Sequence, residues 1–128
     1  MANEGSVLVI EDESNVRVVL EYNLRMEGFK VYLADDGLSG VKLALQKKPG
    51  LILLDWMLPG MDGLEVLAKL KSHEETKDIP VFMLTAKGQM DDVALAFGAG
   101  ADDYITKPFD PIKLGDTVRD KFAKQVQV

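Results

Sequence analysis

Short apolar runs alternate with helix-length amphipathic segments along the whole chain. Four runs are strongly apolar and a fifth is weaker; they lie at residues 7–10, 29–33, 51–54, 81–84 and 104–106. Each run is short and bounded by Gly, Pro or Asp, which is typical of β-strands. Strands that alternate with helices favour βαβ units, a parallel sheet and right-handed connections. The pattern therefore predicts an α/β fold with five strands.

Five helical segments are predicted between and after these runs, and several carry residues that mark a helix end. Ser14 is expected to cap the first helix, and Gly28 is expected to end it. Asp62 is expected to cap the third helix. Asp110 and Pro111 are expected to open the fifth helix as its N-cap and first helical residue. The other two segments cover residues 38–48 and 90–97.

The apolar runs also predict the order of the strands in the sheet. The first, third and fourth runs are apolar throughout, as strands buried on both faces are. The second run alternates between apolar and polar residues, and the fifth is short and polar, so both are expected at the edges. The predicted architecture is a single doubly wound (βα)5 domain over residues 1–128, with a core from about 6 to 123. The predicted strand order is 2-1-3-4-5, with helices on both faces.

Composition excludes several classes of function. The 128 residues carry a formal net charge of −6, which disfavours direct binding to the phosphate backbone of nucleic acids. The absence of cysteine excludes disulfides, thiolate zinc sites and cysteine nucleophiles. No apolar run approaches the ~18 residues of a membrane span, and the polar N-terminus shows no signal peptide. These features predict a cytoplasmic protein with no membrane contact.

Polar side chains follow four of the predicted strands at the point where each strand ends. Glu11 and Asp12 follow the first, Asp55 the third, Thr85 the fourth and Lys107 the fifth. Ligands of an open parallel sheet bind beyond these carboxyl ends. Converging carboxylates repel one another unless a cation lies among them, and Mg²⁺ (or Mn²⁺) suits oxygen ligands. The set predicts that Asp55 attacks phosphorus while the metal and the lysine neutralise charge.

Four sequence motifs in order resemble the receiver domain of two-component response regulators, the CheY-like family. They are Val-Ile-Glu-Asp-Glu at 9–13, Leu-Leu-Asp-Trp-Met-Leu-Pro-Gly-Met-Asp-Gly at 53–63, Leu-Thr-Ala at 84–86 and Gly-Ala-Asp-Asp-Tyr-Ile-Thr-Lys-Pro-Phe at 100–109. The resemblance covers the chain from Val7 to about Phe122. Each motif is weak by itself, whereas the four together at the ends of predicted strands are specific.

The resemblance implies a role for each matching position. Asp55 would be the phosphoacceptor. The metal ligands would be carboxylates and one carbonyl, namely Glu11, Asp12, Asp55 and the backbone carbonyl of Met57. The phosphoryl-binding and switch residues would be Thr85, Ala86, Lys107 and Tyr104. The peptide between Lys107 and Pro108 would be cis, because a cis bond is realistic only before proline.

Two residues near the phosphoacceptor carry further expectations. Glu11 occupies a position that in the family is more often Asp. Its side chain is one methylene longer, so it is expected to reach the metal through water. Trp56 follows Asp55 directly and is expected to pack partly exposed over the site.

By the same resemblance, the chain would be a signalling switch and not an enzyme with turnover. A sensor histidine kinase or a histidine phosphotransfer protein would supply the phosphoryl group. The face built from the fourth helix, fifth strand and fifth helix would then control a downstream effector or a C-terminal output domain. The sequence leaves open whether this face forms a homodimer, and whether the chain acts alone or is a fragment of a longer regulator.

Three other functions are less compatible with the sequence than the switch. An aspartyl phosphatase of the haloacid dehalogenase type needs a second carboxylate two residues after its nucleophile, and Met57 stands there. A flavodoxin-like FMN binder needs phosphate-binding amides at the first βα turn, where the acidic residues 11–13 would repel the anion. A degenerate receiver that only docks partners would not need the full residue set.

Overall fold

The computed structural model describes residues 3–86, 90–107 and 109–126, and in these residues five strands alternate with five helices. The strands are β1 Asn3–Ile10, β2 Lys30–Ala34, β3 Pro49–Asp55, β4 Val81–Ala86 and β5 Asp103–Lys107. The helices are α1 Ser14–Met26, α2 Gly37–Lys47, α3 Gly63–Ser72, α4 Met90–Gly98 and α5 Leu114–Val126. All strand pairs are parallel, and the sheet order β2-β1-β3-β4-β5 confirms the prediction.

Alternating side chains of the central strands build two hydrophobic cores, one on each face of the sheet. On one face, Leu8 of β1 and Leu54 of β3 pack among buried residues of α2 and α3. On the other face, Val9 and Leu53 pack among buried residues of α1 and α5. Helices therefore cover both faces, and the described residues of the edge strands β2 and β5 are less buried than those of β1, β3 and β4.

The two ends of α1 differ in how well the sequence predicted them. At the C-terminal end Gly28 has φ of 94° and completes a Schellman motif. The Phe29 N–H donates to the Leu24 carbonyl, and the Gly28 N–H donates to the Arg25 carbonyl.

At the N-terminal end, the prediction that Ser14 caps the helix was wrong. The backbone stays extended through Glu13, so Glu13 is the N-cap, without a side-chain cap bond, and Ser14 is already helical.

The helices α3 and α5 show the same contrast. Asp62 caps α3 as predicted, and its reciprocal hydrogen bonds with Glu65 form a capping box. The Asp110 side chain accepts the Ile112 N–H at 2.9 Å, as a cap does. Its carbonyl, however, accepts the Lys113 N–H and so closes a four-residue turn over residues 110–113. The predicted start of the fifth helix at Pro111 was therefore wrong, because this turn delays α5 to Leu114.

Within the described residues, every helix is too short or too polar to cross a lipid bilayer.

Candidate functional site

Three carboxylates meet at the carboxyl edge of the sheet, beyond the paired ends of β1 and β3. Oxygen atoms of Glu11, Asp12 and Asp55 all lie within 4.8 Å of one another. Glu11 and Asp55 are buried, and Asp12 is exposed. The parallel register, which pairs Ile10 with Leu54, places Glu11, just after β1, beside Asp55, the last residue of β3. The cluster is therefore a direct product of the sheet topology.

Lys107, at the end of β5, reaches across the sheet edge into this cluster. Its Nζ donates to Glu11 Oε1 at 2.7 Å and to Asp55 Oδ1 at 3.1 Å. Burial alone would lower the pKa of the ammonium. The hydrogen bond to Glu11 and the charge of Asp55 outweigh that effect, so the pKa of Lys107 lies above its ordinary value. The lysine is therefore held in its charged form.

Both oxygens of the Glu11 carboxylate are engaged within the protein. Oε1 accepts the Lys107 ammonium, and Oε2 accepts the Glu13 backbone N–H at 3.1 Å. Burial raises the pKa of Glu11 and the charge of Asp55 adds to the rise, whereas these two hydrogen bonds oppose it. The Glu11 carboxylate therefore holds both the lysine and the backbone of the turn.

Arg17 on α1 donates hydrogen bonds to the backbone of the acidic turn, residues 11–13, which follows β1. The sequence did not reveal this contact. Arg17 Nη1 donates to the Glu11 carbonyl at 2.9 Å and to the Asp12 carbonyl at 2.8 Å. An arginine five residues after an aspartate, on a helix, is ordinary in a sequence. Only the course of the backbone through the turn shows that these two carbonyls converge on one guanidinium.

Gly63, the first residue of α3, fixes the backbone beside the predicted nucleophile. A Cβ at this position would lie 2.7 Å from the Asp55 carbonyl oxygen and 2.8 Å from the Trp56 Cα. The Gly63 N–H also donates to the Trp56 carbonyl at 2.8 Å. The end of β3 therefore packs directly on the start of α3, and a side chain at position 63 would force the two apart.

Trp56 departs from the sequence expectation. The prediction that it packs partly exposed was wrong: only 8% of the residue is exposed, and it belongs to the core on the α2–α3 face. The strand alternation continues past Asp55, so residue 56 turns inward between the sheet and α3. The residue still contributes to the lining of the cavity at the site.

The remaining predicted site residues occupy three different settings. Met57 and Ala86 line a cavity of about 430 Å³ together with the carboxylates and Lys107. Thr85 is buried at the end of β4 and, with Tyr104, is absent from the described part of that lining. The expected cis peptide between Lys107 and Pro108 lies outside the described residues.

Tyr104 lies half-buried on β5, between residues of α4 and α5. Its ring makes an edge contact with Phe97 at 6.1 Å between centroids. On the other side, Lys121 Nζ lies 5.7 Å from the ring centroid, and Lys121 also pairs with Asp103 at 3.1 Å. The structure therefore assigns Tyr104 to the face formed by α4, β5 and α5.

An apolar groove of about 680 Å³ adjoins the acidic cavity. Its apolar walls come from Val16 and Val19 of α1 and from Phe109 and Pro111 after β5. The groove and the cavity share Glu13, Ala86 and Lys107 in their linings. A molecule seated in the groove would therefore lie next to the carboxylates.

This arrangement has the chemistry of a phosphoryl-transfer site. Three carboxylates face a single bound ammonium, so negative charge is in excess among the described residues that line the cavity. Hard divalent cations with oxygen ligands suit such a cluster, and the convergence of three oxygens within 4.8 Å fits one ion. A carboxylate beside a fixed ammonium can act as a nucleophile toward phosphorus.

Comparison with known proteins gives a consistent family. A family model described as the response regulator receiver domain matches residues 7–119. The chain is 49% identical over 104 residues to the DNA-binding dual master transcriptional regulator RpaA of Synechocystis, and these cover 81% of this chain and 43% of that protein. It is 44% identical over 109 residues to the phosphate regulon transcriptional regulatory protein PhoB of Pseudomonas aeruginosa, covering 85% and 48%. The chain thus spans less than half the length of these relatives.

Solved structures agree with the sequence comparison. A putative response regulator from Chloroflexus aurantiacus superposes with a TM-score of 0.85 at 34% identity, covering 92% of this chain and 97% of the other. The receiver domain of a Pseudomonas aeruginosa sensor histidine kinase, with a magnesium ion coordinated in its active-site cleft, gives a TM-score of 0.82 at 30% identity and covers 95% and 99%. The fold, the acidic cluster and these likenesses agree: this chain belongs to the response regulator receiver domain family of two-component signalling, which is not a family of classical enzymes.

Proposed function

We propose that this chain is a phosphorylation-activated switch in which Asp55 accepts a phosphoryl group from a phosphohistidine. The observation that carries the proposal is the meeting of Glu11, Asp12 and Asp55 within 4.8 Å, with Lys107 bound to two of them. Members of this family bind Mg²⁺ in the active site. The carboxylates of this chain supply the oxygen ligands that such an ion needs.

The metal ligands in this proposal are Asp12, Asp55 and the backbone carbonyl of Met57. Glu11 acts through water, because its two oxygens already hold Lys107 and the Glu13 N–H. When bound, Mg²⁺ (or Mn²⁺) neutralises the carboxylates and the phosphoryl oxygens, which lowers the electrostatic barrier to the approach of two anions.

The protein groups then carry the transfer itself. An Asp55 carboxylate oxygen attacks phosphorus in line, the bond from phosphorus to the histidine nitrogen breaks, and its electron pair returns to the imidazole. Lys107 contacts the transferred oxygens, since its ammonium already lies 3.1 Å from Asp55. Thr85 and Ala86 are proposed to bind the same group. Later hydrolysis of the acyl phosphate resets the switch.

The apolar groove is the proposed docking place of the donor, a sensor histidine kinase or a histidine phosphotransfer protein. It opens onto the cavity through shared residues, so a donor held there presents its phosphohistidine to Asp55. The outer face of α1 extends this surface, because Val18, Tyr22 and Met26 recur every four residues and are each more than 60% exposed.

The output is proposed to leave through the face of α4, β5 and α5. Tyr104 is the proposed switch aromatic, since it lies between Phe97 and Lys121 on that face. Its change of position would alter contacts with a downstream effector or an output domain, and a homodimer through this face is a further form of output. We also propose that residues 1–128 act as one cytoplasmic domain, without direct contact to nucleic acid or membrane.

Labelling with acetyl phosphate tests this function. The wild-type protein with Mg²⁺ is expected to gain the mass of one phosphoryl group, and Asp55→Asn is expected to lose that gain completely. Asp36→Asn is the matched control, because it makes the same substitution at a turn next to β2 and should label like the wild type. Normal labelling of Asp55→Asn, or labelling that does not require a divalent metal, would contradict the proposal.

A further inference from the structure

The peptide bond between Asp12 and Glu13 is held from both of its sides. Its carbonyl accepts Arg17 Nη1 at 2.8 Å, and its N–H donates to Glu11 Oε2 at 3.1 Å. Because a peptide unit is planar, with its C=O and N–H pointing in opposite directions, these two bonds fix the orientation of the whole plane. The preceding carbonyl, that of Glu11, accepts the same Arg17 nitrogen at 2.9 Å.

The Arg17 guanidinium lies near the N-terminus of α1, where its charge does not stabilise the helix. Arg17 is in the fifth position counted from the N-cap Glu13, and a positive charge near a helix N-terminus is electrostatically unfavourable. Within the part of the chain that the structure describes, its hydrogen-bond partners are two carbonyls that follow the end of β1 and not an acidic side chain. Such carbonyls need a partner, and water could serve them without fixing the turn.

We propose that Arg17 is a positioning residue that prepares the acidic turn for a divalent cation. By holding the Glu11 and Asp12 carbonyls, it prevents rotation of the Asp12–Glu13 peptide. That rotation would remove the Glu13 N–H from Glu11. Because Arg17 holds the peptide on each side of the Asp12 Cα, it also fixes the direction in which the Asp12 side chain leaves the backbone. This inference rests on the proposed function, in which the same carboxylates bind Mg²⁺.

The charge of Arg17 and its hydrogen bonds act on the metal in opposite directions. A positive charge near a cation site repels the cation, so removing the charge alone would tighten Mg²⁺ binding. Loss of an outer residue that orients metal ligands weakens binding, by roughly 10- to 100-fold in metal sites generally. The sign of the change therefore distinguishes a positioning role from a purely electrostatic one.

The experiment is a titration with Mg²⁺ alone, followed by the amide shifts of cavity residues in ¹H–¹⁵N NMR spectra. Arg17→Met keeps the aliphatic stem and removes the donors, and it is expected to weaken Mg²⁺ binding about 10-fold. Arg25→Met is the matched control on the same helix, where Arg25 pairs with Glu21 at 3.0 Å; its affinity should equal that of the wild type. An unchanged or tighter affinity of Arg17→Met would overturn the proposal.

Two further measurements separate positioning from a general loss of structure. Thermal unfolding in EDTA should show Arg17→Met folded, with a midpoint close to that of Arg25→Met. Arg17→Lys retains a cationic donor, so its Mg²⁺ affinity should lie between those of the wild type and Arg17→Met. An Arg17→Lys affinity below that of Arg17→Met would count against the role of the hydrogen bonds.

Acetyl phosphate labelling distinguishes failure of this inference from failure of the proposed function. At low Mg²⁺ Arg17→Met should label more slowly than the wild type, and saturating Mg²⁺ should restore the rate. Equal rates at low Mg²⁺ would reject the positioning role and leave the function of Asp55 intact. If the wild type neither binds Mg²⁺ nor becomes labelled, the proposed function itself fails.

Discussion

Two lysines at opposite ends of the sheet are equally exposed but have different partners. The Lys107 side chain is 22% exposed and the Lys71 side chain 21%. Lys71 donates to the carbonyls of Lys77 and Ile79 at 3.2 and 3.1 Å and lies 3.4 Å from Asp102. One carboxylate and two neutral carbonyls thus lie around the Lys71 ammonium, so this pair brings together one charge of each sign.

At the other end the charges do not balance. Lys107 binds two carboxylates, and Asp12 adds a third at the same edge. A fold gains no stability from gathering carboxylates that repel one another, whereas a site for a cation and a phosphoryl group needs them. Local charge imbalance, and not burial of a lysine, therefore distinguishes the proposed functional end of this sheet from the structural end.

The largest effect is expected from removing the lysine at the functional end. Lys107→Met should slow labelling by acetyl phosphate roughly 100-fold, because a fixed donor to the transferred oxygens is lost. The measurement is the initial rate of phosphoryl incorporation at saturating Mg²⁺. Lys71→Met is the control and should label at the wild-type rate. Equal rates for all three proteins would remove the distinction between the two ends.

At the structural end, loss of the lysine is expected to change the stability of the fold and not the rate of labelling. Lys71→Met should lower the free energy of unfolding by about 2 kcal/mol, because two carbonyls and Asp102 lose a charged donor. Urea unfolding without metal measures this loss. Lys77→Met is the matched control, since Lys77 makes an exposed pair with Glu74 at 3.1 Å and such pairs contribute little. If the free energy of unfolding fell no further than in the control, the hydrogen bonds of Lys71 would not stabilise the fold.

The smallest effect is expected at Asp36, whose pKa moves in the opposite direction from that of Glu11. Burial raises the pKa of Glu11, whereas the Ser39 backbone N–H, which donates to Asp36 at 2.8 Å, lowers the pKa of Asp36 below its ordinary value of 3.8. A lowered pKa contributes stability above the unfolded pKa, and that stability is lost as the pH falls through the folded pKa. Asp36→Asn cannot ionise, yet asparagine can still cap a helix.

The difference in unfolding midpoint between wild type and Asp36→Asn should therefore be small at pH 7. It should shrink further as the pH falls below 3.8. Thermal unfolding at several pH values measures it. A difference that stays constant over this range would show that the ionised carboxylate does not strengthen the cap of α2.

The sequence predicted the parts of the molecule that depend on patterns near each residue and on a regular topology. Each apolar run marked a strand, and the parallel order then brought Glu11 and Lys107 together although 96 residues separate them. Asp62 was predictable as a cap because its partner Glu65 lies only three residues further on.

The sequence could not predict features that depend on the exact path of the backbone. Arg17 contacts carbonyls, which carry no sequence signal, and their direction depends on the turn after β1. The start of α5 was misplaced because Asp110 closes a turn before the helix instead of beginning it directly. Trp56 was expected near solvent, but the close approach of α3 leaves it within the core.

The contact between Gly63 and the end of β3 has a mechanical consequence. With 2.7 Å between a hypothetical Cβ and the Asp55 carbonyl oxygen, helix and strand are packed at this point without room for a side chain. The proposed phosphoacceptor is thus attached to a closely packed side of its own pocket. We expect a rearrangement that transmits a signal to involve β5 instead, because Lys107 and Tyr104 belong to an edge strand that has one neighbour in the described sheet.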